Sequence, residues 1–121
     1  MNLSEYFENA EGFGVFSTAD AAGRVDTAIY GIPHVMDEQT VAFIMAERKQ
    51  HENLKHNAHA AYLFKEKGDS YSGLRLYLTK VREEKNSERI HTLMRRKNRT
   101  GNGDDKERND YLVFFHVDKV L

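Results

Sequence analysis

Cysteine is absent from the 121 residues, and so is tryptophan. Without thiolates there are no disulfides, iron–sulfur clusters, zinc ribbons or cysteine nucleophiles. Any redox chemistry must then be carried by a bound organic cofactor or a haem. Proline occurs once, at Pro33. Neither sign of charge dominates, because 18 basic residues face 19 acidic ones for a net charge of −1. No global field therefore draws in nucleic acid or an anionic membrane. No apolar run approaches the ~20 residues of a spanning helix. The N-terminus lacks the basic and apolar regions of a signal peptide, so the expected location is cytoplasmic.

The length fits one domain, residues 1–121, since domains commonly run ~100–150 residues. Leu3, Tyr6 and Phe7 at i, i+3 and i+4 predict a short amphipathic helix capped at Ser4 and ended by Gly12. Gly14 to Ala19 predicts a strand, Asp20-Ala-Ala-Gly23 a hairpin turn, and Arg24 to Tyr30 the returning strand. Gly31 and Pro33 bend that strand, and His34 to Met36 extends it. Asp37-Glu38-Gln39 turns into an apolar strand, Val41 to Met45, and a short helix follows from Gln50 to His56. Ala60 to Lys65 is the next strand. Leu74, Leu76, Leu78 and Val81 then mark one face of another, with Arg75, Tyr77 and Thr79 on its other face. A helix after Asn86 or Ser87 carries Ile90, Leu93 and Met94, the polar stretch Lys97 to Asn109 is a loop, and Tyr111 to Leu121 is the last strand. Six strands joined by hairpins or short helices predict a mainly β fold, a six-stranded antiparallel barrel.

The junction Glu47-Arg48-Lys49-Gln50 carries the most chemistry. It follows an apolar strand and opens a helix, so two adjacent cations meet the unpaired N–H groups of a helix start. Paired basic side chains and helix N–H groups are what a phosphate monoester needs. A Lys/Arg pair after a strand also occurs as a solvated corner, and the local pattern leaves both readings open.

With the strands in place, the order of parts resembles the pyridoxamine 5′-phosphate oxidase-like family of FMN-binding split barrels. Four features carry the resemblance: the opening hairpin Val15-Phe-Ser-Thr-Ala-Asp-Ala-Ala-Gly-Arg24; Phe43-Ile-Met-Ala-Glu-Arg-Lys49 leading to Asn53-Leu54 and Asn57-Ala58; Tyr71-Ser-Gly73 entering a strand; and the helix from Ser87 before a strand ending in Asp118-Lys-Val-Leu121. The resemblance implies a homodimer with FMN sites near the subunit interface and a redox function, the flavin passing a hydride or electrons from a donor to an acceptor. It places the phosphate at Arg48, Lys49 and the N–H groups that follow, Gln50 included. It lays the flavin ring against Ile44 and Met45 and against Thr27, Ala28, Ile29 and Tyr30. Tyr71, Gly73 and Arg75 would complete the site from a facing strand or the partner chain. In true pyridoxamine phosphate oxidases the second strand is basic, whereas Asp26 to Gly31 carries no basic residue. Those enzymes also end in an Arg-rich substrate segment, and this sequence stops at Leu121. Vitamin B6 oxidation is therefore not expected, and no side chain stands out as a general acid or base.

The six histidines invite other readings. His51, His56 and His59 straddle a helix end and do not share a face, so no metal site is expected. His116 reads as a partly buried strand residue, and His34 as an exposed one near the Pro33 bend. The basic run Arg95 to Arg99 reads as a helix C-terminus favoured by the macrodipole, not as a nucleic-acid grip. Tyr62, Phe64, Phe114 and Phe115 read as core or dimer interface. Ser17 and Thr18 have no base spaced to activate them. The alternatives to an FMN protein are a haem-binding or haem-degrading protein on the same barrel, and a cofactor-free interaction or regulatory module.

Overall fold

The computed structural model describes residues 1–86, 88–96 and 110–121. Helix α1 (Leu3–Asn9) leads into β1 (Gly12–Ala19), β2 (Val25–Tyr30), β3 (His34–Asp37) and β4 (Thr40–Ala46). Helix α2 (Lys49–Leu54), β5 (His59–Glu66), β6 (Gly73–Lys85), α3 (Glu88–Arg96) and β7 (Asp110–Val120) follow. The expected loop 97–109 lies outside the described residues. Among the described residues no helix is long and apolar enough to cross a membrane.

The seven strands form one antiparallel sheet in the order β2-β1-β5-β6-β7-β4-β3. The fold is mainly β, as expected, but the strand count among the described residues is seven and not six. His34 to Met36 does not extend β2. It belongs to β3, which pairs with β4 at the opposite edge of the sheet. Pro33 has no N–H to offer a ladder and fixes its φ, so the chain leaves β2 at Gly31 and crosses to the far edge.

The first strand shows why the sheet curls around a core. Gly14, Phe16 and Thr18 alternate inward and are buried, while Val15, Ser17 and Ala19 face out. The same period of two buries Leu74, Leu76 and Leu78 in β6. Val81, expected on that face, is exposed, because it stands three residues beyond Leu78 and the alternation that buries Leu74, Leu76 and Leu78 turns it outward with Arg75 and Tyr77. Rings fill the centre: Phe16, Phe43, Tyr62 and Phe115 pack with centroids 4.9 to 6.5 Å apart. Tilted and edge-on contacts of this kind add to simple area burial. Tyr62, Phe64 and Phe115 are core residues, as expected. Phe114 is buried on the other side of β7 with Ala42, Leu112 and Ile90, beneath the guanidinium of Arg82 at 3.8 Å.

Helix α1 seals one end of the barrel through Leu3 and Phe7, the latter against Phe64 and Tyr62. Its cap is Asn2, whose side chain accepts the Glu5 N–H at 3.1 Å, and not Ser4. The β1–β2 turn is held as its sequence suggests. The Asp20 carboxylate accepts the N–H groups of Ala22 and Arg24, and Gly23 takes φ +87°.

Candidate functional site

The two edges of the sheet approach one another without a continuous ladder. β2 pairs only with β1, so its outer edge of backbone N–H and C=O groups is unpaired in the sheet. On the other side β3 reaches β4 only as far as His34 opposite Ala42. Phe43 to Ala46 therefore have β7 on one side and no strand on the other. Tyr30 and Phe43 meet across this seam with ring centroids 6.0 Å apart. The hydroxyl of Tyr62 spans the barrel to donate to the Gly31 carbonyl at 2.9 Å. Packing and the part-buried Tyr62–Gly31 hydrogen bond help close the barrel here.

Helix α2 lies under that seam and touches β1, β2 and β4. Arg48 precedes it in extended conformation, φ −134° and ψ −168°. The Arg48 N–H is already donated to the Ala46 carbonyl at 2.8 Å. The donors left over at the helix start are those of Lys49, Gln50 and His51, which have no carbonyl one turn back within the helix. Six residues make less than two turns, so the macrodipole adds little. The formal charges of Arg48 and Lys49 attract an anion more strongly than so short a helix can. Both side chains are exposed, and among the described residues no ion pair engages either. The Tyr30 hydroxyl is close enough to feel Arg48: burial pushes its pKa up to about 12, while the guanidinium pulls the other way.

Gln50 and Asn53 point beneath the seam and are buried. Asn53 Nδ2 donates to Thr18 Oγ1 at 3.0 Å, which donates to Gln50 Oε1 at 2.6 Å. Gln50 Nε2 in turn donates to the Asp26 carboxylate at 2.7 Å. Each member of this chain polarises the next, and a fully satisfied network fixes one arrangement. The Gln50 side chain is thereby occupied, which leaves its backbone N–H for a ligand. Thr18, weighed from sequence only as a nucleophile without a base, is the hub. Its spacing of two from Phe16 on β1 was the available signal.

The remaining residues named from sequence divide into two groups. Thr27 and Ile29 face outward on β2, while Ala28 and Tyr30 are half-buried on its inner side. Ile44 is half-buried against the cluster under α3, and Met45 is fully buried inside the barrel. All six flank the seam, with only the backbone of Met45 open to a ligand. Tyr71, Gly73 and Arg75 are elsewhere. They sit at the start of β6, separated from β2 by β5 and β1. Three strand spacings of about 4.8 Å put them roughly 14 Å away across the sheet. They line a shallow cleft of about 350 Å³ with Leu63 and Leu121. A larger cleft of about 510 Å³ lies between the start of α1 and the β3–β4 turn. Asp37 and Glu38 line it, so a phosphate would be repelled there.

The histidines disperse. His51 is wholly buried, His56 pairs with Glu52 at the surface, and His59 is exposed on β5. His34 is buried, not an exposed rim residue, since β3 turns it beneath the sheet edge. His116 is exposed, not partly buried, and its Nδ1 lies 2.9 Å from Asp118. Asp118 also accepts from Thr79 at 2.6 Å, and these bonds hold its carboxyl below the usual aspartate range. Among the described residues no group of three or more His, Cys, Asp or Glu side chains could hold a metal ion.

Glu83 of β6 accepts from both Lys80, at 2.6 Å, and His51, at 3.0 Å. Burial pushes its carboxyl up, yet the Lys80 bond and the charges of His51 and Lys80 outweigh this and leave it below the ordinary glutamate value. A depressed folded pKa contributes stability above the unfolded value of about 4.3, lost as pH falls through the folded value. Thermal unfolding between about pH 5 and pH 3 should therefore cost the wild type more than Glu83→Gln. Parallel falls in the two proteins would remove this role.

No family model and no curated relative matches the sequence. Solved structures do match in shape. A candidate pyridoxamine 5′-phosphate oxidase from Lactobacillus delbrueckii is 17% identical, with a TM-score of 0.68 over 97% of this chain and 88% of that one. An FMN-binding protein from Syntrophomonas wolfei is 21% identical, with a TM-score of 0.70 over 95% and 79%. HutZ, the haem storage protein from Vibrio cholerae, is 15% identical, with a TM-score of 0.64 over 100% and 94%. Identities this low speak to architecture alone. The chain has the split-barrel fold of the pyridoxamine 5′-phosphate oxidase-like proteins.

Proposed function

We propose that this protein binds FMN as a homodimer and serves as an oxidoreductase or electron carrier. The observation that carries the reading is the Arg48–Lys49 pair, exposed and outside any ion pair among the described residues, at a corner fixed by buried hydrogen bonds beneath an open sheet seam. A phosphate monoester brings roughly −1.5 to −2 charge, which two cations nearly neutralise. The unpaired backbone edges of β2 and of Phe43 to Ala46 offer donors and acceptors to the polar edge of an isoalloxazine. Bound flavin would supply hydride or single-electron transfer, and this chain's residues would anchor it and limit its contact with water.

The expectation of a second copy rests on the outer face of β2, β1, β5 and β6. There Ile29, Val15 and Leu63 lie in one cross-strand row, with Ile29 79% and Leu63 47% exposed. An exposed apolar row of this kind supports a surface that a second copy would cover. Light scattering should give twice the chain mass, and Leu63→Glu should shift it to one. A monomeric wild type would contradict the dimer.

The absorption spectrum of freshly purified protein, followed by mass analysis of what denaturation releases, tests the cofactor. Flavin bands and a released mass of FMN are expected. A Soret band would favour haem, the reading that the exposed His116–Asp118 pair and the shared fold of HutZ support. A colourless protein that takes up no added FMN would favour a cofactor-free module.

A further inference from the structure

Residue 51 directly follows the proposed phosphate corner, and its burial is unusual. The His51 side chain has no exposed surface. Its ring stacks on Tyr111, with centroids 3.8 Å apart and planes 23° apart. Nε2 lies 3.0 Å from Glu83, and since an ionised carboxylate only accepts, that nitrogen carries the hydrogen. Nδ1 is buried with no hydrogen-bond partner. An unsatisfied buried nitrogen costs free energy, and an apolar residue of similar size would fill the space without that cost. Packing alone does not account for a histidine here.

A directed bond does. Successive helical residues point about 100° apart, so Gln50 and His51 leave α2 in different directions. Gln50 and Asn53 fasten the helix to β1 and β2. His51 fastens it to β6, where Lys80 holds Glu83 in place at 2.6 Å. Arg48, Lys49 and Glu52 are left facing solvent. These bonds hold the first turn from both sides.

We infer that His51 is a positioning residue: tied to Glu83, it sets the Arg48–Lys49 corner so that the protein selects phosphorylated over unphosphorylated flavin. This rests on the FMN reading above. Fixing the backbone that carries the two cations before binding removes part of an ordering cost that only the phosphate-bearing ligand would otherwise meet. Riboflavin, which never reaches the corner, is indifferent to it.

The test compares FMN and riboflavin dissociation constants in the wild type, Glu83→Ala, Glu83→Gln and His51→Leu, with melting temperature and circular dichroism recorded for each. Glu83→Ala should weaken FMN about tenfold, on the scale of lost contacts behind a ligand, and leave riboflavin nearly unchanged. Glu83→Gln, which keeps an acceptor for Nε2, should restore most of the preference. His51→Leu should stay folded yet lose the preference, a result that a purely structural role would not give. An unchanged FMN-to-riboflavin ratio in folded His51→Leu and Glu83→Ala would overturn the assignment, as would loss of fold in both. A wild type that binds riboflavin as tightly as FMN would instead overturn the phosphate site itself, and this inference with it.

Discussion

Replacing Arg48 and Lys49 together by alanine is expected to weaken FMN binding by about 3 kcal/mol, more than a hundredfold. Charge-assisted hydrogen bonds are worth ~1.5–3 kcal/mol each. Both side chains are exposed, so solvent screening holds the sum near the low end. The short α2 adds little from its dipole, so no other part of the corner can compensate for the two cations. Each single substitution should lose about half the effect, and riboflavin affinity should stay level throughout. Fluorescence titration reads all of this directly. Unchanged FMN affinity in the double variant would remove the assignment.

Gly14→Ala should destabilise the fold by about 3 kcal/mol or more, in the upper range for overpacked cores. A Cβ at this position would stand 2.0 Å from the Tyr62 hydroxyl oxygen and 2.3 and 2.4 Å from two ring carbons. Gly14 lies in β1 without a positive φ, so the demand is for space and not for backbone freedom. Tyr62 has no room to yield. It is fully buried, its ring packs 5.0 Å from that of Phe43, and its hydroxyl holds the Gly31 carbonyl. Displacing it breaks the hydrogen bond across the barrel as well as the packing. Chemical denaturation should show a lower midpoint at similar slope. A loss below about 1 kcal/mol would mean that the seam tolerates rearrangement and that Tyr62 is not held fast.

The alternation of Leu74, Leu76 and Leu78 against Arg75 and Tyr77 made β6 legible, because one buried face imposes a strict period of two. The Arg48–Lys49 corner was legible for a similar reason: an apolar strand followed by cations and a helix is a local pattern. What failed to show was long-range. His34 to Met36 follows β2 closely in sequence yet pairs at the far edge, and no local signal reports which edge a short strand joins. The shift in pairing between Lys80 and Arg82 depends on how β7 is laid against β6. His51 and Glu83 stand 32 residues apart, so neither announces the other. Thr18, Gln50 and Asp26 likewise become a network only when the barrel closes. Local chemistry marked the candidate site, and pairing topology decided what packs beneath it.

A crystal structure of the protein with FMN bound tests the phosphate corner most directly. The phosphate is expected at the start of α2, with Arg48 and Lys49 within hydrogen-bonding distance and the ring system along β2 and the end of β4. Flavin phosphate located elsewhere, with Arg48 and Lys49 in open solvent, would contradict it.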